Sequence, residues 1–194
     1  ASVRASIGLQ KMAERSDIDV MVFNDIDRAM FELVGLRKSC VRSIEAADRI
    51  VRAVDEDNAG FVFDSYNIHL NGHCNDFSAI KTVQPEKIFA VHLMQHKSFA
   101  GNNINITFLC ESAVHLMSAD DVPDSEMGQD KRCFSGSGVV DTDSFLKTLK
   151  ICGYTGMVSV ETFRPEYWSK TPEWVIENAY STTYTALKKN QCLE

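Results

Sequence analysis

The segment Gly136–Trp168, GSGVVDTDSFLKTLKICGYTGMVSVETFRPEYW, decides the fold class of this chain. It begins as a glycine loop, continues as a helical pattern that Asp141 or Asp143 can cap, and turns at Gly153. The residues Met157–Glu161 then alternate between apolar and polar side chains, which predicts a short strand. We therefore expect a helix followed by a strand that ends on a glutamate. Enzymes built from strand and helix units carry their catalytic groups at such strand ends.

Three other short apolar segments end in the same way, on a residue that can bind metal or move a proton. They are residues 29–34 with Glu32, residues 60–64 with Asp64, and residues 87–92 with His92. A single carboxylate of this kind is usually a helix cap or an ion-pair partner, but four such groups on separate strands indicate a shared site. Helical patterns at residues 43–54 and 171–188 complete an alternation of strands and helices. That alternation predicts an α/β fold with a parallel sheet.

The composition is that of one soluble globular domain, which we expect to span residues 1–194. Of these residues 44% are hydrophobic and 24% are charged. The net charge of −7 argues against a nucleic-acid surface, which needs many Lys and Arg side chains. No apolar run is long enough to span a bilayer, and the N-terminal sequence lacks the apolar core of a signal peptide. The six cysteines form no CxxC pair, so we expect reduced thiols and a cytoplasmic protein.

An exact repeat interrupts the alternation. The letters AVHLM occur at residues 90–94 and again at residues 113–117, and the sequence between them has no clear helical period. We interpret residues of about 95–117 as an irregular insertion. The repeat leaves two histidines, His92 and His115, as candidates for one role.

With these residues identified, the chain resembles the xylose-isomerase-like TIM-barrel family of sugar and cyclitol isomerases and epimerases. It is most similar to the 2-keto-myo-inositol (inosose) isomerases within that family. The resemblance runs from about Ala29 to Leu187 and rests on five blocks: MFELVG, DNAGFVFDSYNIH, KIFAVHL, GSGVVDTDSFLKTLKICGY and VSVETFRPEYW. It implies the C-terminal half of a (β/α)8 barrel, about strands 5 to 8, with an inserted loop. A half-barrel has open strand edges, so a homo-oligomer formed through those edges is a further expectation.

The resemblance also implies a site for one divalent metal ion, Mn²⁺, Mg²⁺, Co²⁺ or Zn²⁺. The implied ligands are Glu32, Asp64, His92 and Glu161. His92 follows the better strand pattern, whereas His115 has the spacing to Arg132 that the family usually shows, so His115 stays the alternative ligand. The implied substrate contacts are Arg132, Asn67 and His69, with Asn67 standing where many relatives have a histidine.

The activity implied by the resemblance is that of a metal-dependent isomerase or epimerase acting on a small polyol or keto sugar. The lead substrate is 2-keto-myo-inositol, a compound of myo-inositol catabolism, and a metal-stabilised enediolate would form when a C–H proton leaves. Glu32 and Glu161 would be the acid and base. The alternatives are a dehydratase of inosose or dehydroshikimate on the same scaffold, or an inactive truncated barrel. An abasic-site endonuclease of the same superfamily is disfavoured by the acidic charge and the single-histidine site.

Overall fold

The structure is a computed structural model, and it describes residues 21–24, 28–35, 39–73, 75–96 and 128–193. Most of the predicted insertion lies outside these described residues, and so does His115. The extent of the insertion and the single domain over residues 1–194 therefore stay predictions.

A five-stranded sheet forms the centre of the fold, with the strand order β1-β2-β3-β4-β7. Its strands are β1 (Met21–Asn24), β2 (Ala29–Glu32), β3 (Ala59–Asp64), β4 (Ile88–His92) and β7 (Val158–Ser159). The four predicted strands, β2, β3, β4 and β7, are parallel, which confirms the α/β prediction. The unpredicted β1 pairs antiparallel with β2. A separate antiparallel pair joins β5 (Gln95–His96) to β6 (Arg132–Cys133).

Helices lie between the parallel strands and after the last of them. They are α1 (Ile44–Val54), α2 (Ser65–Ile68), α3 (Thr142–Ile151), α4 (Pro165–Trp168) and α5 (Pro172–Lys189). A π-helical turn at His69–His73 and 3-10 turns at Ser78–Thr82, Pro85–Lys87 and Gln129–Lys131 lie between them. Among the described residues, no helix combines the length and the apolar character that crossing a membrane requires.

The ends of the long helices follow local sequence signals. Ser43, Asp141 and Thr171 cap α1, α3 and α5, and each side-chain oxygen accepts a hydrogen bond from the backbone N–H three residues later. Of the two candidates for the α3 cap, Asp141 is therefore the one in use. Gly153 follows α3 with a φ of 79°, a left-handed conformation that glycine adopts without strain.

The hydrophobic core lies between the sheet and the helices. Phe31, Phe63 and Val91 are each at most 1% exposed and belong to this core. Their sequence neighbours Glu32 and Asp64 alternate to the opposite face of the sheet, because side chains along a strand have a period of two. The predicted site residues on these strands therefore lie on the face of the sheet opposite the core.

A shift in register between β3 and β4 aligns their ends. The pairing skips one residue between Phe61 and Val62, and after this irregularity Asp64 lies opposite His92. Gly60 permits the close approach of the two strands, since a Cβ atom there would lie 2.3 Å from the carbonyl oxygen of Lys87. A side chain at position 60 would therefore force the two segments apart.

Candidate metal centre

The structure brings the four predicted ligands together at the carboxyl ends of the parallel strands. Glu32, Asp64, His92 and Glu161 each offer one ligand atom, and these atoms all lie within 4.8 Å of one another. The Nδ1 atom of His92 lies 3.6 Å from Glu32 Oε1, 3.6 Å from Asp64 Oδ2 and 3.7 Å from Glu161 Oε2. These separations are too long for hydrogen bonds. The carboxylates therefore surround the imidazole nitrogen without bonding to it.

The parallel register explains why these side chains meet. Asp64 pairs with His92, and His92 pairs with Ser159, two residues before Glu161. Glu161 lies just beyond β7, where its backbone N–H donates to Met94 Sδ at 3.2 Å instead of to a strand. The predicted strand at residues 157–161 is therefore shorter than expected, and Glu161 reaches the site from the loop that follows it.

The donor set fits a divalent cation. Glu32 Oε2 and His92 Nδ1 are buried and have no hydrogen-bond partner within the part of the chain that the structure describes. Buried polar atoms are almost always paired, so the unpaired His92 Nδ1, with three carboxylate oxygens within 3.7 Å, indicates a missing partner. Oxygen ligands with one imidazole suit Mn²⁺, Mg²⁺, Co²⁺ or Zn²⁺. The side chains present thus fit the predicted metal ion.

Arg132 binds the carboxylates from one side. Its side chain is 2% exposed, and Nη1 donates to Asp64 Oδ2 at 2.6 Å and lies 3.8 Å from Glu161 Oε2. Its Nε donates to Gln129 Oε1 at 2.6 Å. A charge-assisted contact of this length orders both partners. Arg132, predicted as a substrate contact, is therefore bound to two of the four candidate ligands.

Two aromatic rings enclose the guanidinium. The Cζ atom of Arg132 lies 4.7 Å from the centre of the Tyr66 ring and 5.7 Å from that of Phe163. Such cation–π contacts stabilise a buried guanidinium. Phe163 is 43% exposed, so its ring also faces the solvent beside the site.

Burial and charge shift the protonation of the cluster. Burial opposes the charged form of His92, but the negatively charged environment made by Asp64 and Glu32, each 3.6 Å from Nδ1, raises its pKa to about 10. Burial likewise favours the neutral form of Asp64, and Arg132 reverses this effect, so the pKa of Asp64 is lowered. For Glu161 burial dominates, and its pKa is raised. Without a metal ion, His92 is thus an imidazolium among carboxylates.

The charge balance favours a cation in the cluster. Three carboxylates surround one permanent cation, the guanidinium of Arg132. A divalent cation beside a neutral His92 would supply the positive charge that the carboxylates lack. Because uncompensated charge is costly in a buried site, the cluster gains from exchanging a proton for a metal ion.

The two other predicted substrate contacts lie differently. Asn67 is 1% exposed, and its Nδ2 donates to Glu32 Oε1 at 3.0 Å. His69 is 4% exposed, begins the π-helical turn and is not among the four converging side chains. Their roles toward a substrate stay predictions.

Several residues around the site were not expected from the sequence. They are Tyr66 and Phe163 against Arg132, Gln129 on its Nε, Met94 under Glu161, and Gly35 against Asn67. Only Tyr66 had a local signal, because it directly follows Asp64 in the DSYN segment. The others come from segments far apart in the sequence, and no periodic pattern connects them.

Comparisons with known proteins agree with this geometry. Residues 28–179 match the model of a family described as xylose isomerase-like TIM barrel. The inosose isomerase of Bacillus velezensis is 32% identical over 158 residues, which cover 81% of this chain and 48% of that protein. The inosose isomerase of Bacillus subtilis is 30% identical over 182 residues, which cover 91% of this chain and 56% of that protein.

A solved structure has a similar fold. It is the crystal structure of the IOLI protein with a binding zinc atom. The match has a TM-score of 0.68 and 27% sequence identity, and it covers 96% of this chain and 57% of that one. The chain therefore spans about half the length of the relatives that it matches.

Proposed function

Since the chain belongs to the xylose isomerase-like TIM barrel family, we propose that it is a divalent-metal-dependent isomerase or epimerase of sugars or cyclitols. The lead substrate is 2-keto-myo-inositol, because the relatives at about 30% identity are named inosose isomerases. The observation that carries the proposal is the convergence of Glu32, Asp64, His92 and Glu161 within 4.8 Å at the strand ends. The cytoplasmic location stays a prediction.

We propose that one metal ion is held by these four side chains. When bound, a divalent cation polarises a carbonyl group and stabilises the negative charge that develops as the neighbouring C–H proton leaves. The zinc atom bound in the similar IOLI structure supports a divalent ion of this type. Mn²⁺, Mg²⁺ and Co²⁺ suit the same mixture of carboxylates and imidazole.

Glu32 and Glu161 would move the proton. A catalytic acid or base works best when its pKa is close to the pH at which the enzyme operates. The pKa of Glu161 is raised by burial, and its side chain is 26% exposed, so it can meet a substrate. Glu32 has no exposed side-chain surface, and Asn67 holds one of its oxygens. We therefore assign to Glu161, on the more open side, the exchange of the proton with the substrate. Glu32 is then the second acid or base.

The substrate would approach past the exposed ring of Phe163. Polyols and keto sugars present apolar C–H faces that can pack on an aromatic ring, and hydroxyl groups that bind charged side chains. The guanidinium of Arg132 lies between Phe163 and the carboxylates, so a substrate oxygen would meet it at the base of the site. This arrangement supports the predicted contact between Arg132 and the substrate.

We also propose that a second copy of this chain covers the open side of the sheet. Within the described residues β7 has a strand partner on one side alone, β4. Ile176, Tyr180 and Tyr184 form an exposed stripe at a spacing of four residues along α5, and they are 67%, 68% and 42% exposed. In relatives with chains about twice as long, a closed barrel pairs both edges of such a strand. We therefore propose that the unpaired edge is covered by the second copy.

The activity is tested by measuring metal binding and turnover in the same preparation. We expect the metal-free protein to bind one Mn²⁺ per chain in calorimetry. The Mn²⁺-loaded protein should then convert 2-keto-myo-inositol, with the product identified by NMR. Glu161→Gln should abolish turnover and weaken Mn²⁺ binding, whereas Glu177→Gln, an exposed carboxylate on α5, should change neither. Loss of water from the substrate would identify a dehydratase. Mn²⁺ binding without any turnover would identify an inactive half-barrel, and the absence of binding would refute the proposal.

A further inference from the structure

Asn67 contacts two candidate metal ligands at once. Its backbone N–H donates to Asp64 Oδ1 at 2.9 Å, and its side-chain Nδ2 donates to Glu32 Oε1 at 3.0 Å. The residue is 1% exposed, so neither contact is open to solvent. We propose that Asn67 is a positioning residue that orients Glu32 for the metal ion, an inference that rests on the proposed function.

The other end of the amide is also bonded. Asn67 Oδ1 accepts a hydrogen bond from the backbone N–H of Gly35 at 3.1 Å. The Gly35 N–H can only donate, and an ionised Glu32 can only accept. Rotating the amide by half a turn would place like groups against each other at both ends. The amide orientation is therefore determined by its two neighbours, and a side chain without both a donor and an acceptor cannot replace it.

The absence of a side chain at Gly35 leaves room for this bridge. A Cβ atom at Gly35 would lie 2.9 Å from Leu70 Cβ and 3.2 Å from Asn67 Oδ1. Both distances are shorter than ordinary van der Waals contacts. Gly35 also follows Glu32 by three residues, so the bridge joins the chain leaving β2 to α2. One end of the Asn67 amide is therefore bonded to the backbone, and the other end is bonded to the Glu32 carboxylate.

Asn67 binds the Glu32 oxygen that lies in the ligand cluster. Its Nδ2 donates to Oε1, the atom 3.6 Å from His92 Nδ1, and the buried Oε2 has no partner among the residues that the structure describes. Residues that hold a ligand in place in this way contribute to metal affinity although they never touch the metal. With both ends of its amide engaged, Asn67 reaches a substrate only if this bridge breaks. We therefore assign its effect to Glu32 instead of to substrate binding.

The test is the affinity of the purified full chain for Mn²⁺, measured by calorimetry. Asn67→Leu keeps a similar volume and removes both hydrogen bonds, and we expect affinity to fall by about 10- to 100-fold. The matched control is Asn71→Leu: Asn71 is 8% exposed on the same segment, and its Nδ2 contacts the carbonyl oxygen of Val34 at 3.4 Å instead of a ligand. The control should bind Mn²⁺ as the unchanged chain does.

A double variant shows whether the effect passes through Glu32. In a Glu32→Ala background, Asn67→Leu should cause no further loss of Mn²⁺ affinity, because the carboxylate that it orients is gone. An additional loss of the same size as in the unchanged chain would refute the positioning role. If Asn67→Leu does not fold, as judged by circular dichroism, the smaller polar change Asn67→Ser replaces it, with the same loss expected.

The outcomes separate this inference from the proposed function. If the unchanged chain binds no Mn²⁺, the metal site itself is refuted. If the unchanged chain binds Mn²⁺ and Asn67→Leu binds it equally well, only the positioning role is refuted. A raised KM for 2-keto-myo-inositol with unaltered Mn²⁺ affinity would instead identify Asn67 as a substrate contact.

Discussion

Arg132 donates a hydrogen bond from Nη1 to Asp64 Oδ2 at 2.6 Å, and the two side chains are 2% and 0% exposed. They lie 68 residues apart in the sequence. This buried ion pair lies at the boundary of the candidate metal site, and its charge lowers the pKa of Asp64 despite burial. The pair therefore keeps Asp64 ionised and available as a ligand.

Arg132→Met should destabilise the metal-free protein strongly. The change removes the guanidinium that is hydrogen-bonded to Asp64 and paired with Glu161, and breaking a buried ion pair on one side costs about 3–5 kcal/mol. Urea unfolding of the metal-free protein measures the free-energy difference. Added Mn²⁺ should recover part of the loss, because a cation restores the balance of charge. A free energy of unfolding equal to that of the unchanged chain would show that the pair does not stabilise the fold.

Affinity for the metal should rise with pH. The ion requires a neutral imidazole, whereas the pKa of His92 is raised to about 10 in the metal-free protein. Binding near neutral pH must therefore expel one proton, and affinity should increase about tenfold per pH unit until the pH approaches that pKa. Calorimetry in buffers with different ionisation enthalpies counts the released proton. If no proton is released at neutral pH, His92 is neutral before binding or is not a ligand.

Asp141→Ala should shorten or loosen α3. Asp141 Oδ1 accepts from the backbone N–H of Ser144 at 2.9 Å, and removing such a cap costs about 1 kcal/mol. Asp141→Asn retains an oxygen acceptor at the same place and should preserve most of the stability. Thermal unfolding of the two variants measures the difference. Equal losses would mean that the charge of Asp141 matters and the cap does not.

Tyr180→Lys should disrupt self-association. Tyr180 is 68% exposed and lies at the middle of the apolar stripe on α5. A lysine there would place a charge in the proposed contact between two copies. Light scattering at several protein concentrations measures the mass. Thr185→Lys, at an exposed position of the same helix outside the stripe, adds the same charge and is the control that should leave the mass unchanged. A monomeric unchanged chain would contradict the proposed second copy.

Local patterns were sufficient for most of the secondary structure. The caps at Ser43 and Thr171 and the alternation around Phe63 depend on neighbouring residues, so they can be recognised without a fold. Strand lengths were less predictable. Beyond the strand ends, the backbone N–H of Gly35 bonds to Asn67 and that of Glu161 to Met94, and these partners are distant in the sequence.

The antiparallel strand β1 was not predicted from the sequence. Its four residues pair with β2 through backbone hydrogen bonds, which depend on two segments meeting and not on one segment's pattern. The separate pair of β5 and β6 is of the same kind, since each has only two residues.

The sequence by itself determined which side chains are candidates for the chemistry and which face of each strand they occupy. It did so because the period of two and the composition of the strand ends are local properties. Only the tertiary structure decided that Glu32, Asp64, His92 and Glu161 meet within 4.8 Å. It also decided that Arg132 and Asn67 bind those carboxylates, across 68 and 35 residues of sequence. The physical reason is that the register between β3 and β4 and the burial of charge are set by packing between segments, which no single segment encodes.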